Sequence, residues 1–301
     1  MSDNLIHRLF RGVQRIRQQP RWSEFAGPDW PEQIMHVAGT DRFHAKQGRT
    51  IVRWQLQSGN RRLVVYLKRH YRLPWWSGLL ALVWPGGSWS PAMQEWEHLQ
   101  WARAQGLPAP EALAAGEFIG PWGKLQSFLA VEELTGMLPL HEAIPAAEAR
   151  LDPRTFQHWK RGLIDEMVSL TLDLHRRHWF HKDLYFCHFY IAASDTARLP
   201  DWRGRVWLID FHRLGHHPWT WRWWRAKDLG QLLYSSHVSG VTARDRLRFW
   251  RAYLAGDRLG WTARWIGWCA RLRARNHQRH HDRKVQEERQ MESRPDRRLA
   301  S

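Results

Sequence analysis

HKDLYFCH, residues 181–188, and VWLIDFH, residues 206–212, are the two stretches on which the architecture turns. The first sets Asp183 between His181 and His188, at the end of a long segment of helical periodicity. The second is apolar and β-prone up to Asp210, so a strand delivers that carboxylate at its end. Two aspartates on different elements suit a divided chemistry. One orients a hydroxyl and accepts its proton, and the other holds a divalent cation against phosphate oxygens. An isolated His-x-Asp is common and usually belongs to a buried polar network. A base, a metal-ligand candidate five residues later and a strand-borne aspartate, in that order, make the bland explanation weak.

Working outward, Phe156, Trp159, Leu163, Ile164, Met167, Leu170 and Leu174 share one face of a helix that starts after Asp152-Pro153 and leads into the first stretch. The chain before it reads differently. TIVRWQL and RRLVVYLKRH flank Ser58-Gly59-Asn60, the pattern of a β-hairpin. A helix is expected from about Pro91 to Ala104, ended by Gly106 and Pro108. Two short strands follow it, and further helices are expected near residues 226–236, 243–255 and 261–275. The first segment, Leu5 to Arg17, has the spacing of a short basic amphipathic helix, and the chain from about Asn276 reads as an unstructured tail. The boundaries expected are 1–35 for an N-terminal segment, 36–135 for a strand-rich lobe, 136–275 for a helix-rich lobe and 276–301 for the tail. That is an α+β, two-lobed organisation.

The strand-rich half offers partners for the two aspartates. Lys68 ends the strand Val65-Tyr66-Leu67-Lys68, where an ammonium can pair with nucleotide phosphates. Glu95 is the expected partner of that lysine, with Glu97 as the nearby competitor. No G-x-G-x-x-G precedes the hairpin. Phosphate contact is assigned instead to the stretch around Lys46 and Gly48. Protein kinases place H-R-D-x-x-x-x-N and D-F-G where this chain has His181-Lys182-Asp183, His188 and Asp210-Phe211-His212. Asp183 is thereby the candidate base, and Asp210 and His188 are the candidate metal ligands. Asp228 reads as an anchor for the catalytic loop rather than a substrate contact.

The chain resembles the lipopolysaccharide-core sugar kinases, the heptose and Kdo kinase group of the protein-kinase-like superfamily. The resemblance rests on His181, Asp183, Tyr185, Cys187 and His188, on Ile209 to Arg213, on Lys227-Asp228-Leu229, on Glu95-Trp96-Glu97 and on Arg244 to Phe249. It spans about residues 36–256. A histidine in the asparagine position and the absence of the D-F-G glycine are traits of that group. The resemblance implies a two-lobed kinase-like fold, ATP with Mg²⁺, and phosphorylation of a heptose or Kdo hydroxyl in a glycolipid inner core. The alternatives are a soluble hydroxyl compound or a protein as acceptor.

Composition bounds the partners. The 301 residues carry a formal charge of +17 and 22 tryptophans, which together point to an anionic, interfacial partner. Arg- and Trp-rich codon usage is the plainer explanation. The apolar insertion at residues 74–90 is read either as core or as membrane-facing through Trp75, Trp76, Leu79, Leu80, Leu82 and Trp84. No sustained apolar run opens the sequence and none is long enough to span a bilayer, so the expectation is a cytoplasmic chain peripheral to the inner face of the membrane. WRWWR and RLRARNHQRHH interleave bases and aromatics as nucleic-acid platforms do, but no nucleic-acid motif is present and none is expected as partner. Cys187 and Cys269 supply no disulfide framework, and the histidines supply no closed zinc set.

Overall fold

The computed structural model describes residues 5–38, 41–46, 48–84, 86–256 and 260–292, in two compact units. The first comprises Met1–Gly136 with Trp207–Arg213, and the second Met137–Val206 with Leu214–Ser301.

The first unit is built on a six-stranded antiparallel sheet. In chain order its elements are α1 (Leu5–Arg11), β1 (Val13–Gln18), α2 (Pro20–Ala26), α3 (Trp30–Gln33), β2 (Asp41–Lys46), β3 (Arg49–Ser58), β4 (Arg61–His70), α4 (Trp75–Val83), α5 (Pro91–Ala104), β5 (Ala112–Ile119) and β6 (Leu125–Glu132). The strand order is β1-β5-β6-β4-β3-β2. The hairpin is as expected, with Ser58 paired to Arg61 across Gly59 and Asn60. Gly59 has φ 57°, the left-handed value that the first position of a tight hairpin turn asks for.

Along β4 the period of two sorts the side chains. Leu63, Val65 and Leu67 are buried against Trp22, Trp30, Ile34 and Phe128, while Lys68 points to the opposite face. Arg69 also turns inward. Its guanidinium donates to the carbonyls of Ile34, Met35 and Val37 at 3.3, 3.1 and 2.8 Å and so satisfies the end of α3.

The expected helix over Leu5 to Arg17 stops at Arg11. Gly12 has φ 77°, and a Cβ there would lie 2.3 Å from the Ile119 carbonyl oxygen. Only glycine passes that close to the neighbouring strand, so the chain turns and residues 13–18 pair with β5 instead.

The insertion at 74–90 divides between the two readings offered for it. In α4, Ala81 and Leu82 pack with Ile119 and Leu125, and Gly78 sits so close to Gly123 that a Cβ would meet its carbonyl oxygen at 1.8 Å. The other side of the same helix is bare: Trp76 is 54% exposed, Val83 56% and Trp84 70%.

The second unit holds β7 (Met137–Pro139), α6 (Leu140–Arg150), α7 (Pro153–Arg176), β8 (Trp179–Phe180) and β9 (Phe189–Ala192). After β10 (Trp207–Leu208), which belongs to the first unit, come β11 (Gly215–His216), α8 (Trp221–Ser235), α9 (Ala243–Gly256) and α10 (Thr262–Glu292). Asp152 caps α7, accepting from the amides of Arg154 and Thr155 at 3.0 and 3.1 Å, with Pro153 in the first turn. The apolar face of α7 is buried as its periodicity predicts, and Ile164, Val168 and Leu172 pack with Ala226, Leu229, Tyr253, Ile266 and Ala270. Two helices are longer than expected. α8 begins at Trp221, and α10 runs to Glu292 where unstructured chain was expected from about residue 276. Among the described residues no helix is long and apolar enough to cross a membrane.

Candidate active site

The candidate residues fall into one group in each unit. In the first, β4 carries Lys68 on its non-core face and α5 carries Glu95, buried to 4% exposure. α5 is fixed by its Ser90 cap, which accepts from the Met93 amide. β10 delivers Asp210, held in register by the Leu208 amide donating to the Pro108 carbonyl at 2.9 Å. The Lys68 ammonium then lies 2.6 Å from a Glu95 oxygen and 3.1 Å from an Asp210 oxygen. Glu97, the competitor for that lysine, accepts instead from the Ser88 hydroxyl. Burial alone disfavours the Lys68 ammonium, but the carboxylates of Glu95 and Asp210 outweigh it and raise its pKa above the ordinary lysine value. The group is a fixed positive charge at neutral pH.

Asp210 has φ 65°, an unusual conformation for a residue other than glycine, and such strain concentrates at functional sites. The surroundings hold it there. His212 Nδ1 is 2.8 Å from its carboxylate, and His98 Nδ1 donates to the Phe211 carbonyl at 2.9 Å. Gly48 stands in the β2–β3 turn with φ 80°, its carbonyl accepting from the Tyr71 amide. Lys46 ends β2, and its side chain lies outside the described residues.

His70, two residues beyond Lys68, yields a pH prediction. Burial, then the charges of Arg49, Lys68 and His212, lower its pKa to about 4. An imidazole depressed in this way is neutral in the folded chain and charged in the unfolded chain between pH 6.5 and 4. Its contribution to stability is therefore complete above pH 6.5 and is lost as the pH falls through that window. The loss is about 1.4 kcal/mol per pH unit, about 3 kcal/mol in all. Urea unfolding across that range is expected to show the slope, and His70→Gln to flatten it. Identical slopes in the two proteins would contradict the assignment.

In the second unit the loop 181–188 hangs from α8. Asp228, fully buried, accepts from the amides of His181 and Lys182 at 2.9 and 2.8 Å, while His175 Nε2 lies 3.3 Å from the same carboxylate and the Tyr253 hydroxyl 2.7 Å from His175 Nδ1. Asp228 thus anchors the loop, as its place in the sequence suggested. Gln231 does more. Its Oε1 accepts from the Leu184 amide at 3.2 Å, and its Nε2 donates to an Asp183 oxygen at 3.3 Å and to the Tyr185 hydroxyl at 3.0 Å. Ser235 Oγ accepts from the Phe186 amide at 3.0 Å. Asp228, Gln231 and Ser235 follow one another at three and four residues, so one face of α8 shapes the whole loop.

Gln231 and Ser235 escaped the sequence reading. The signal for them was their spacing of three and seven residues from Asp228 along α8. His188 Nδ1 donates to the Asp183 carbonyl at 2.6 Å. A carbonyl only accepts, so in the neutral ring the lone pair is on Nε2, the tautomer a metal ligand needs.

Beside the loop, Trp224 gathers cations. Lys182 Nζ lies 4.9 Å and Lys227 Nζ 5.3 Å from its ring, and His217 stacks on it at 4.6 Å. Burial first, then Lys182 and His216, lower the His217 pKa.

Among the described residues no three His, Cys, Asp or Glu gather into a metal cage. Asp210 nevertheless fits Mg²⁺, which takes one or two carboxylates and completes its shell with phosphate and water oxygens. The imidazole of His188 is the softer donor of the two candidates.

The family described as "Lipopolysaccharide kinase (Kdo/WaaP) family" matches residues 48–253. The chain is 33% identical over 162 residues to lipopolysaccharide core heptose(I) kinase WaaP of Pseudomonas aeruginosa, an alignment covering 54% of this chain and 59% of that protein. To the protein of the same name from Escherichia coli it is 30% identical over 165 residues, covering 54% and 60%. The chain thus spans about three-fifths of the length of these curated relatives. Among solved structures, "WaaP in complex with acyl carrier protein" superposes with a TM-score of 0.62 at 25% identity, over 86% of this chain and 99% of that one. The α+β, two-lobed kinase-like fold expected from the sequence is the fold found.

Proposed function

Because the chain belongs to the lipopolysaccharide kinase (Kdo/WaaP) family, we propose that it transfers the γ-phosphoryl group of ATP to a sugar hydroxyl, heptose or Kdo, in the inner core of lipopolysaccharide. The observation that carries the reading is the buried Lys68 ammonium between Glu95 and Asp210. Lys68 neutralises nucleotide phosphate charge, and Glu95 keeps it from collapsing fully onto Asp210. Asp210 would hold Mg²⁺, which when bound offsets the charge on the phosphate oxygens, and Nε2 of His188 is the candidate metal donor of the second unit. Asp183, steadied by Gln231, takes the proton of the acceptor hydroxyl as its oxygen forms the new bond to phosphorus and ADP leaves. The cations around Trp224 suit an acceptor that is itself anionic. Glycolipid from a strain lacking the chain is expected to lose one phosphate from its inner core by mass spectrometry. Unchanged phosphate content contradicts the reading.

Such an acceptor is tied to a bilayer, and the chain is read as peripheral on its inner face. The bare side of α4 supports this, with Trp75, Trp76 and Trp84 69%, 54% and 70% exposed. No charged residue lies between Trp75 and Trp84, so this contact is expected to resist salt. Changing the three to Ser is expected to remove the salt-resistant part of binding to vesicles containing anionic lipid and to leave the melting curve unchanged. Unfolding of that variant, or intact binding, would remove α4 from the contact.

The solved relative's acyl carrier protein suggests a further partner. A cavity of about 320 Å³ in the second unit, with Leu163, Ile164, Met167, Leu232, Phe249 and Trp250 in its wall, suits an acyl chain. Mass spectrometry of the chain co-purified with acyl carrier protein tests this.

A further inference from the structure

We propose that the outer face of α10, with Trp223 of α8 beside it, is a second bilayer-contact surface, selective for anionic lipid. The inference rests on the reading of the chain as one that works at a membrane. It does not depend on α4 or on phosphate transfer.

The inner face of α10 is already taken. Thr262, Ile266, Ala270 and Ala274 are buried, and Ile266 and Ala270 join the core with Ala226 and Leu229 of α8. Gly230 of α8 lets the two helices close, since a Cβ there would come 2.9 Å from Arg273 Cβ and 3.0 Å from the Ala270 carbonyl oxygen. The outer face carries what a helix packed only on a soluble domain has no reason to carry. Trp261, Trp265, Trp268 and Leu272 recur at spacings of four, three and four residues, which is one stripe along the helix. They are 79%, 40%, 56% and 37% exposed. Trp223 of α8, 54% exposed, stands beside the same helix, with the Arg273 guanidinium stacked 3.9 Å from its ring. At the N-terminal end, Arg222 lies 6.0 Å from the Trp261 ring.

Charge selects the occupant. At 100° per residue, Arg264, Arg271 and Arg275 fall along one border of the tryptophan stripe, and all three are exposed. Between Thr262 and His281 there is no aspartate or glutamate, and in α8 the sole carboxylate is the buried Asp228. A row of indoles bordered by guanidinium groups matches the headgroup level of an anionic leaflet. Rings enter at the acyl boundary, and arginines pair with phosphates above it. A second copy of the chain would face this basic surface with the same positive charge, which disfavours it as the occupant.

The test uses the full chain and vesicles of phosphatidylglycerol with phosphatidylcholine, or phosphatidylcholine alone, in a sedimentation assay at low and high salt. Two variants address the face: Trp265→Ser with Trp268→Ser, and Arg264→Gln with Arg271→Gln and Arg275→Gln. Each is expected to weaken binding to the anionic vesicles by on the order of tenfold or more, and the arginine variant to flatten the salt dependence as well. Phosphatidylcholine alone should bind wild type weakly.

If both variants bind as wild type, the proposal is overturned, even where the α4 variant loses binding and the membrane reading stands. If wild type binds no vesicle at all, the membrane reading fails with it. Loss of acyl carrier protein binding without loss of vesicle binding reassigns the face to that protein. Should the tryptophan variant fail to fold, the arginine variant decides alone, because its three side chains are solvent-exposed.

Discussion

Asp183→Asn and Asp210→Asn are each expected to lower turnover by on the order of 10²–10⁴, for different reasons. In Asp183→Asn the amide oxygen can still accept from Gln231 Nε2, so the loop keeps its shape. What is lost is the group that takes the hydroxyl proton. ATP with Mg²⁺ is expected to bind this variant with near wild-type affinity. Asp210→Asn removes a negative charge beside Lys68, which keeps Glu95, and removes the oxygen meant for the cation. Asparagine tolerates the left-handed conformation, so the φ of 65° adds no new strain. Nucleotide binding is expected to fall here along with turnover. Single-turnover rates and nucleotide titrations separate the two variants. Wild-type turnover in either would contradict its role.

Asp228→Ala is expected to be the most destabilising single change in the second unit. The carboxylate is fully buried and serves two backbone amides and His175. Its removal takes the acceptor from the buried His181 amide and the part-buried Lys182 amide, and takes one partner from His175. Breaking a buried, hydrogen-bonded charge in this way costs about 3–5 kcal/mol. Activity is expected to fall too, because the loop that carries Asp183 loses its anchor. Asp228→Asn keeps one acceptor oxygen and should lie between wild type and alanine. Urea unfolding measures both, and a loss below about 1 kcal/mol for Asp228→Ala would mean that water or a neighbour replaces the carboxylate.

These features differ in how far local sequence reveals them. The hairpin, α5 and α7 were legible because each is written in local terms: Gly59-Asn60 between alternating strands, Ser90-Pro91 before a helix, Asp152-Pro153 before a long apolar face. The three site residues were legible because each stands in or just after a regular element, Lys68 within β4, Asp183 three residues after β8 and Asp210 two residues after β10. What could not be read is set by distant chain. Gly12 ends α1 because Ile119 passes within contact distance, which no window around residue 12 reveals. Arg69 reads as a strand-end surface charge, yet it is buried because the carbonyls at the end of α3 need donors. Gln231 looks like any polar residue of a helix until the loop it holds is folded against it. The tryptophans behave alike. Trp22 and Trp159 are completely buried, whereas Trp84 and Trp261 are among the most exposed side chains, and composition alone cannot divide the two groups.

The decisive experiment combines the purified chain, ATP, Mg²⁺ and inner-core glycolipid stripped of phosphate. The product is followed by mass spectrometry, and the new ester is placed on its sugar by ³¹P-correlated NMR. One phosphate monoester on a single heptose or Kdo hydroxyl, formed with one ADP per ester and absent with Asp183→Asn, is the predicted result. ATP hydrolysis with no ester on the glycolipid, or phosphate carried only by the protein or by a soluble compound, would contradict it.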